Sequence, residues 1–192
     1  MKKNHTFVVL AYKESKYLER CLKSVLNQKY KSNIIIATTT DNEFIRNLAK
    51  KYNIDIVVGE HINIGGDFDF ALNLGKTKLV TIAHQDDIYD YEYSKNMVDM
   101  YNKNKDAVII FSDYYEIRDE EKVFSNTNLK IKRVLLFPLK FKKLSKYKFI
   151  KRMSISIGNS ICCPAVTFVK YNCPKEVFTS EYLCNVDWFA WE

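Results

Sequence analysis

Residues 63–89, NIGGDFDFALNLGKTKLVTIAHQDDIY, carry the pattern that decides the fold. Phe68–Leu74 reads as a short helix and Lys78–Ala83 (KLVTIA) as a strand. The polar run His84-Gln85-Asp86-Asp87 follows where that strand ends. The same alternation continues outward in both directions. Thr6–Ala11 (TFVVLA) is a short continuous apolar run, which suits a strand buried on both faces. Ser15 reads as an N-cap, and beyond it Leu18, Cys21, Leu22, Val25 and Leu26 form a helical stripe. Asn33–Ala37 (NIIIA) reads as a second strand. Thr40 and Glu43 then have capping-box spacing ahead of Phe44, Ile45, Leu48, Ala49 and Tyr52. Ile54–Val58 reads as a third strand. Met97, Met100 and Tyr101 mark a further helix, and Ala107–Ser112 (AVIIFS) a fifth strand. This alternation predicts a layered α/β domain with a mainly parallel central sheet. The glycines, Gly59, Gly65, Gly66, Gly75 and Gly158, form neither a G-x-G-x-x-G turn nor a P-loop. That argues against Rossmann-type dinucleotide binding and P-loop phosphate chemistry.

Length and composition agree with one domain. The chain has 192 residues, 47% of them hydrophobic, enough for a real core. Low glycine and proline with 14% aromatics exclude collagen-like, low-complexity and disordered classes. The five cysteines, Cys21, Cys162, Cys163, Cys173 and Cys184, are odd in number and fit no zinc spacing. Inert thiols in a reduced cytoplasmic chain explain them better than a redox site at Cys162-Cys163. No apolar run approaches the roughly 18–20 residues of a membrane span. The start, MKKNHTFVVLAYKE, is not a signal peptide. A soluble protein is expected, at most peripheral at the inner face of a membrane.

Charge is unevenly placed. The chain carries +7 overall, yet Lys122–Lys175 holds thirteen Lys or Arg and no acid, so the remainder is mildly acidic. Within it, Leu135–Met153 (LLFPLKFKKLSKYKFIKRM) interleaves bulky apolar side chains with basic ones. An amphipathic cover for the sheet, with snorkelling lysines, is one reading. Docking on an anionic membrane is another. Nucleic-acid binding is not expected, because no RNA- or DNA-binding motif accompanies the charge.

Ligands of open α/β sheets bind at the carboxyl ends of the strands. Here those ends read Ala11-Tyr12-Lys13-Glu14, Thr38-Thr39-Thr40-Asp41 and His84-Gln85-Asp86-Asp87. Two adjacent carboxylates repel unless a cation is shared or water screens them. Oxygen donors with open water positions suit Mg²⁺ or Mn²⁺, which also bridge phosphate oxygens. A polar strand-to-helix turn accounts for the same residues. His84 reads as a hydrogen-bonded structural residue or as a ligand.

Four segments, in order, resemble family 2 glycosyltransferases of the GT-A fold, and the resemblance covers nearly the whole chain. VVLAYKESKYLERCLKSVLNQKY (8–30) looks like that family's opening strand and helix, with Tyr12, Glu14, Leu18, Leu22, Ser24, Val25 and Gln28 in familiar places. Residues 63–89 look like its middle block: an Asn-x-Gly turn (Asn63, Gly65), the Ala71-Leu72-Asn73 segment, then a strand into the DXD metal-binding element. GNSICCPAVTFVK (158–170) is similar to the acceptor-side Gly-Asn segment. VDWFAWE (186–192) looks like the region of the catalytic base. There are departures. Thr38 and Thr39 stand where the family usually has acids that hold the base. His84 takes the first DXD position, which makes Asp86 the better ligand. Leu10-Ala11-Tyr12-Lys13 replaces the usual Pro-Thr-Tyr-Asn.

The resemblance implies a single GT-A domain over 1–192, Rossmann-like and mainly parallel. Residues 1–115 would form the nucleotide-sugar-binding half, and 116–192 a basic acceptor-side half, incomplete because family members continue with further helices. It implies an inverting, metal-dependent transfer of a sugar from a nucleotide-diphosphate donor to a hydroxyl of a saccharide or lipid-linked acceptor. Cell-envelope polysaccharide or glycolipid synthesis is the family-level setting. Asp187 would be the catalytic base, with Glu181 the nearest alternative acid. Ala11, Tyr12, Glu14, Thr38, Thr39, Asn73, Gln85 and Asp86 would bind the nucleotide sugar, and Asp86 and Asp87 a divalent cation, Mg²⁺ or Mn²⁺. Lysines of the basic segment would screen the diphosphate or hold a lipid-phosphate acceptor. On the residues alone, Asp187 beside Trp188 and Trp191 reads equally as a cap on an aromatic-packing helix. Two other classes stand beside the transferase: a catalytically silent nucleotide-binding or membrane-docking module, and a nucleotidyltransferase, whose Gly-rich basic loop after the first strand this chain lacks.

Overall fold

A computed structural model describes residues 3–178 and 185–191. Glu181 and Cys184 lie outside the described residues. In chain order the elements begin with β1 (His5–Ala11), α1 (Leu18–Leu26), β2 (Asn33–Thr38), α2 (Glu43–Tyr52), β3 (Asp55–Val58), α3 (Ile64–Leu74) and β4 (Leu79–His84). Next come α4 (Tyr93–Lys103), β5 (Ile109–Phe111) and the hairpin β6 (Glu116–Arg118) with β7 (Glu121–Val123). The chain then forms α5 (Thr127–Leu136), α6 (Lys148–Ser156), β8 (Val166–Val169) and α7 (Val186–Trp191). Short 3₁₀ turns occupy Phe137–Lys140, Leu144–Lys146 and Cys163–Ala165.

The six-stranded sheet has the order β3-β2-β1-β4-β8-β5. β1 pairs in parallel with β2 and β4, and β2 with β3. β8 runs antiparallel to both neighbours and separates β4 from β5. The expected mainly parallel α/β sheet is therefore present, with one reversed strand that the local pattern did not announce.

Both faces of the sheet are covered. Phe7, Val9 and Ala11 of β1 join Leu18, Cys21, Leu22 and Val25 of α1 and Ile45, Leu48 and Ala49 of α2 in one core. Val8 points the other way and packs with Ala71 and Leu72 of α3, Ile82 of β4, Phe168 of β8 and Ile155 of α6. That two-sided burial explains the continuous apolar runs of the inner strands. Gly75 lets the end of α3 lie against β4, since a Cβ there would collide with the Val80 side chain.

Helix starts differ from the sequence expectation in three places. Asn42, not Thr40, caps α2 by accepting from the Ile45 N–H at 3.0 Å. Ser15 lies one turn ahead of α1, whose N-cap, Tyr17, makes no side-chain cap bond. The helix expected from Phe68 begins at Ile64, because Asn63 accepts from the Gly66 N–H at 2.8 Å. In α4, Met97 and Val98 are buried, whereas Met100 faces out. Within Leu135–Met153 no residue is fully buried, and Leu136 packs partly buried against the core. Leu129 and Ile155, at either side of the stretch, are the buried side chains there.

Candidate active site

Strand register brings the expected site residues to one end of the sheet. Leu10 stands opposite His84 across β1 and β4, and Ala11 stands opposite Thr38 across β1 and β2. The Gln85 amide ties the loops that follow β1 and β4. Its Oε1 accepts from the Tyr12 N–H and its Nε2 donates to the Tyr12 carbonyl, both at 3.0 Å. Lys13, with φ of 53°, donates its N–H to Thr40 Oγ1 at 2.5 Å and joins the loop after β2. A non-glycine residue in the left-handed region marks a loop whose conformation its neighbours enforce. Ala11 and Thr38 are buried backbone supports, whereas Tyr12 and Glu14 are exposed on the rim.

Beyond β4 the chain turns with the Asp87 N–H bonded to the His84 carbonyl at 3.2 Å. Asp86 is exposed and Asp87 is partly buried. Burial, and then the neighbouring Asp86 charge, push the Asp87 carboxyl up to about 6. Burial lowers the His84 pKa against the opposing charges of Asp86 and Asp187, so the ring is neutral at pH 7. Its Nε2 is buried with no partner among the described residues. Asp87 and Asp187 both act on the Cys162 and Cys163 thiols as well. The charges of Asp86, Asp87 and Asp187 are thus each felt by groups at or near the end of β4. The thiols there are free, and burial holds Cys162 up at about 11 and raises Cys163 and Cys21 further. Thiols kept protonated in this way are inert, as expected from the sequence.

Among the described residues, no three His, Cys, Asp or Glu side chains converge as metal ligands. The donor set still fits a hard divalent ion. Asp86 and Asp87 offer carboxylate oxygens whose mutual repulsion a cation relieves, leaving other positions for water and phosphate oxygens.

Asp187 sits in the first turn of α7. Asn159 Nδ2 donates to its Oδ2 at 2.6 Å. The helix is anchored by buried Val186, by Trp188 Nε1 donating to the Ile155 carbonyl at 2.8 Å, and by Trp191 stacked near Phe168 and Phe178. The aromatic residues therefore dock α7, while the acid is held from the Gly-Asn segment.

Asn159 is the Asn of the Gly-Asn segment, to which the sequence reading gave no role of its own. Two residues that it did not single out also belong to this region, His61, just past β3, and Asp67. Asp67, nearly buried in the first turn of α3, pairs its Oδ2 with His61 Nδ1 at 2.8 Å and accepts from Thr39 Oγ1 at 3.4 Å. Its Oδ1 is buried without a partner among the described residues. An acid thus stands beside Thr39 after all, supplied by α3 rather than by β2. The signal was the Asn63 cap: a helix begun there carries Asp67 in its first turn.

Asn73 is not brought to this end. α3 runs back toward the amino end of β4, about 16 Å over its length. Asn73 there accepts from Lys170 Nζ at 2.7 Å. A hollow of about 480 Å³ lined by Lys3, Ser32, Asn33, Asp55 and Lys76 also opens at the amino ends of the strands. The carboxylates lie at the opposite end, so that hollow is not the site.

The sequence pattern described as Glycosyl transferase family 2 matches residues 6–171, from β1 to just past β8. Among solved structures, the fold is similar to S. aureus TarS 1–349 in complex with UDP, with a TM-score of 0.60 and 13% identity. That match covers 97% of this chain and 54% of TarS 1–349. It is also similar to the mannosyltransferase PcManGT from Pyrobaculum calidifontis in complex with GDP-Man and Mn²⁺, with a TM-score of 0.55 and 12% identity. Here 88% of this chain and 45% of that one are covered. The chain therefore spans about half the length of these structures. No curated protein matches it in sequence.

Proposed function

Because the chain belongs to glycosyl transferase family 2, we propose that it moves a sugar, with inversion, from a nucleoside-diphosphate donor to an acceptor hydroxyl. The observation that carries this reading is the strand register that sets Asp86 and Asp87, directly after β4, at the same sheet end as Thr38, with Asp187 held by Asn159 of the Gly-Asn segment. A donor lies across the strand ends in this proposal. Neighbouring strands are about 4.8 Å apart, so β2 lies roughly 10 Å from β4. A nucleoside at Thr38 and Thr39 can then reach Asp86 with its diphosphate. Asp67 fixes the His61 ring through Nδ1, and the pair supplies polar recognition beside Thr39.

The Asp187 carboxylate accepts the proton of the acceptor hydroxyl as that oxygen attacks the anomeric carbon and the bond to the diphosphate breaks. Asn159 fixes the orientation of that carboxylate. Gln85 holds the Tyr12 loop against the end of β4. Asp86, with Asp87, would hold Mg²⁺ or Mn²⁺, which when bound supplies positive charge to the leaving diphosphate. The acceptor class we assign is a saccharide or lipid-linked hydroxyl in envelope polysaccharide or glycolipid synthesis. Among the described residues the thiols of Cys21, Cys162, Cys163 and Cys173 are free, which fits a reducing compartment and so supports action in the cytoplasm.

UDP and GDP are tested by thermal shift, each with and without Mn²⁺, and a UDP-sugar and a GDP-sugar by donor hydrolysis. Binding to the native state raises Tm by mass action. Metal-dependent stabilisation together with donor turnover supports the transferase. Stabilisation without turnover above a no-protein control indicates a silent module. No stabilisation by either nucleoside diphosphate, with or without Mn²⁺, overturns the proposal.

A further inference from the structure

We propose that the helical unit of residues 127–157 docks on an anionic lipid bilayer, through an outward apolar face set among unpaired basic side chains. This rests on surface chemistry alone and is independent of the donor chemistry above. The face is built by helix geometry. Phe149, Met153 and Ile157 are spaced four apart along and just past α6, so they line one side of it. That side is turned outward: Phe149 is 74% and Ile157 77% exposed, whereas Ser154 and Ile155 make the buried contact. On α5, Ile131 and Val134 are likewise exposed while Leu129 is buried. Between the helices, Phe137 and Phe141 pack edge to face with ring centroids 5.3 Å apart, and both are half exposed. An apolar face this extensive, rimmed by polar groups, marks an interaction surface.

Charge identifies the occupant. The unit has ten Lys or Arg and no Asp or Glu. Among the described residues, Arg133 is the one of these ten that pairs with a carboxylate, Asp113 at 2.8 Å. The others, including Lys142, Lys143, Lys146, Lys148, Lys151 and Arg152, which are exposed in the same stretch, have no carboxylate partner among the described residues. A partner must therefore be both apolar within and negatively charged at its surface. A bilayer containing anionic lipid offers that combination over the whole face, with Phe and Leu entering the acyl boundary and lysines meeting headgroups. A second copy of this chain would oppose like charge to like charge. The face also adjoins the candidate site, since Ile157 precedes by two residues the Asn159 that holds Asp187. Docking would bring the site to the bilayer surface, where a lipid-linked hydroxyl is presented.

The test is flotation of the whole chain with vesicles of phosphatidylcholine alone and of phosphatidylcholine mixed with phosphatidylglycerol, at low and high salt. We expect binding to the mixed vesicles, lost at high salt through screening. Lys142→Gln, Lys143→Gln and Lys146→Gln should each weaken it by about fivefold. The double change Phe149→Asp and Ile157→Asp should abolish it with an unchanged circular dichroism spectrum, because both side chains are exposed. Equal binding to both vesicle types, or binding to neither, overturns the proposal. So does a concentration-dependent dimer, by light scattering, that the double change dissociates while vesicle binding stays absent.

Discussion

Asn159 donates Nδ2 to Asp187 Oδ2 at 2.6 Å, while Oδ1 of the same amide is buried without a partner among the described residues. One side chain thus restrains the acid and keeps an acceptor atom in reserve beside it. Asp187→Asn should leave donor binding intact and lower transfer by about 10²–10⁴-fold, the usual contribution of general-base catalysis. Transfer within about threefold of wild type would move the base elsewhere. Asn159→Ala should lower kcat with the donor KM unchanged. Asn159→Asp should shift the pH profile of kcat upward, because a second carboxylate disfavours ionisation of the first. A purely structural Asn159 would move stability and leave the profile in place.

Asp86 is exposed in the turn after β4. Asp86→Ala should therefore cost no more than about 0.5 kcal/mol of stability, and it should abolish Mn²⁺-dependent stabilisation by a nucleoside diphosphate. Thermal shift with and without the metal reads both effects. Unchanged metal-dependent binding in the folded variant removes the assignment.

The Asp67–His61 pair should matter for the nucleoside rather than for the chemical step. His61→Ala should weaken nucleoside-diphosphate affinity and also lower the melting temperature, because it leaves the buried Asp67 carboxylate without its 2.8 Å partner. Asp67→Asn should weaken it by about tenfold as well, because a charge-assisted hydrogen bond of about 1.5–3 kcal/mol is lost. Isothermal titration of both variants checks this; wild-type affinity in both would put the nucleoside elsewhere.

His5 predicts a pH limit on stability. Its ring is fully buried between Ser32 Oγ at 2.8 Å and Thr81 Oγ1 at 2.9 Å. Burial lowers its pKa to about 3, against about 6.5 for an unfolded chain. The folded state binds fewer protons, so this contribution is fully present above pH 6.5 and is lost as pH falls toward 3. The slope approaches 1.4 kcal/mol per pH unit. Urea unfolding between pH 7 and pH 4 should show it, and the His5 imidazole NMR signals should not titrate between pH 8 and pH 5. A His5 titration midpoint near 6.5 in the folded protein would refute the account.

The parts of the fold legible in the sequence were those written locally. β1 and β4 are runs buried on both faces, β2 and β3 are short β-branched runs beside them, and the ends of β1, β2 and β4 announce themselves as Tyr12, Thr38 and the Asp86-Asp87 pair. β8 was not legible, because four residues, VTFV, become a strand only through pairing with β4 and β5 far along the chain. Thr40 shows how a plausible local signal is redirected: its hydroxyl serves Lys13 of another loop, and Asn42 takes the cap. Asn73 reads as a site residue by position in a motif, yet the direction of α3 carries it to the far end of the sheet. Asp67 was hidden by a late estimate of where that same helix begins.

The antiparallel strand between β4 and β5 also orders the birth of the molecule. On a ribosome, β1 to β5 leave the exit tunnel well before residues 166–169 are made, so β4 waits with an open edge and β5 has no strand beside it. The half-formed sheet is a template for pairing with other nascent chains. Closure depends on a contact between Val80 and Phe168, separated by nearly half of the polypeptide, and long-range pairing of this kind is slow. Ribosome-bound chains halted ahead of β8 should therefore recruit chaperones that chains extended past it release.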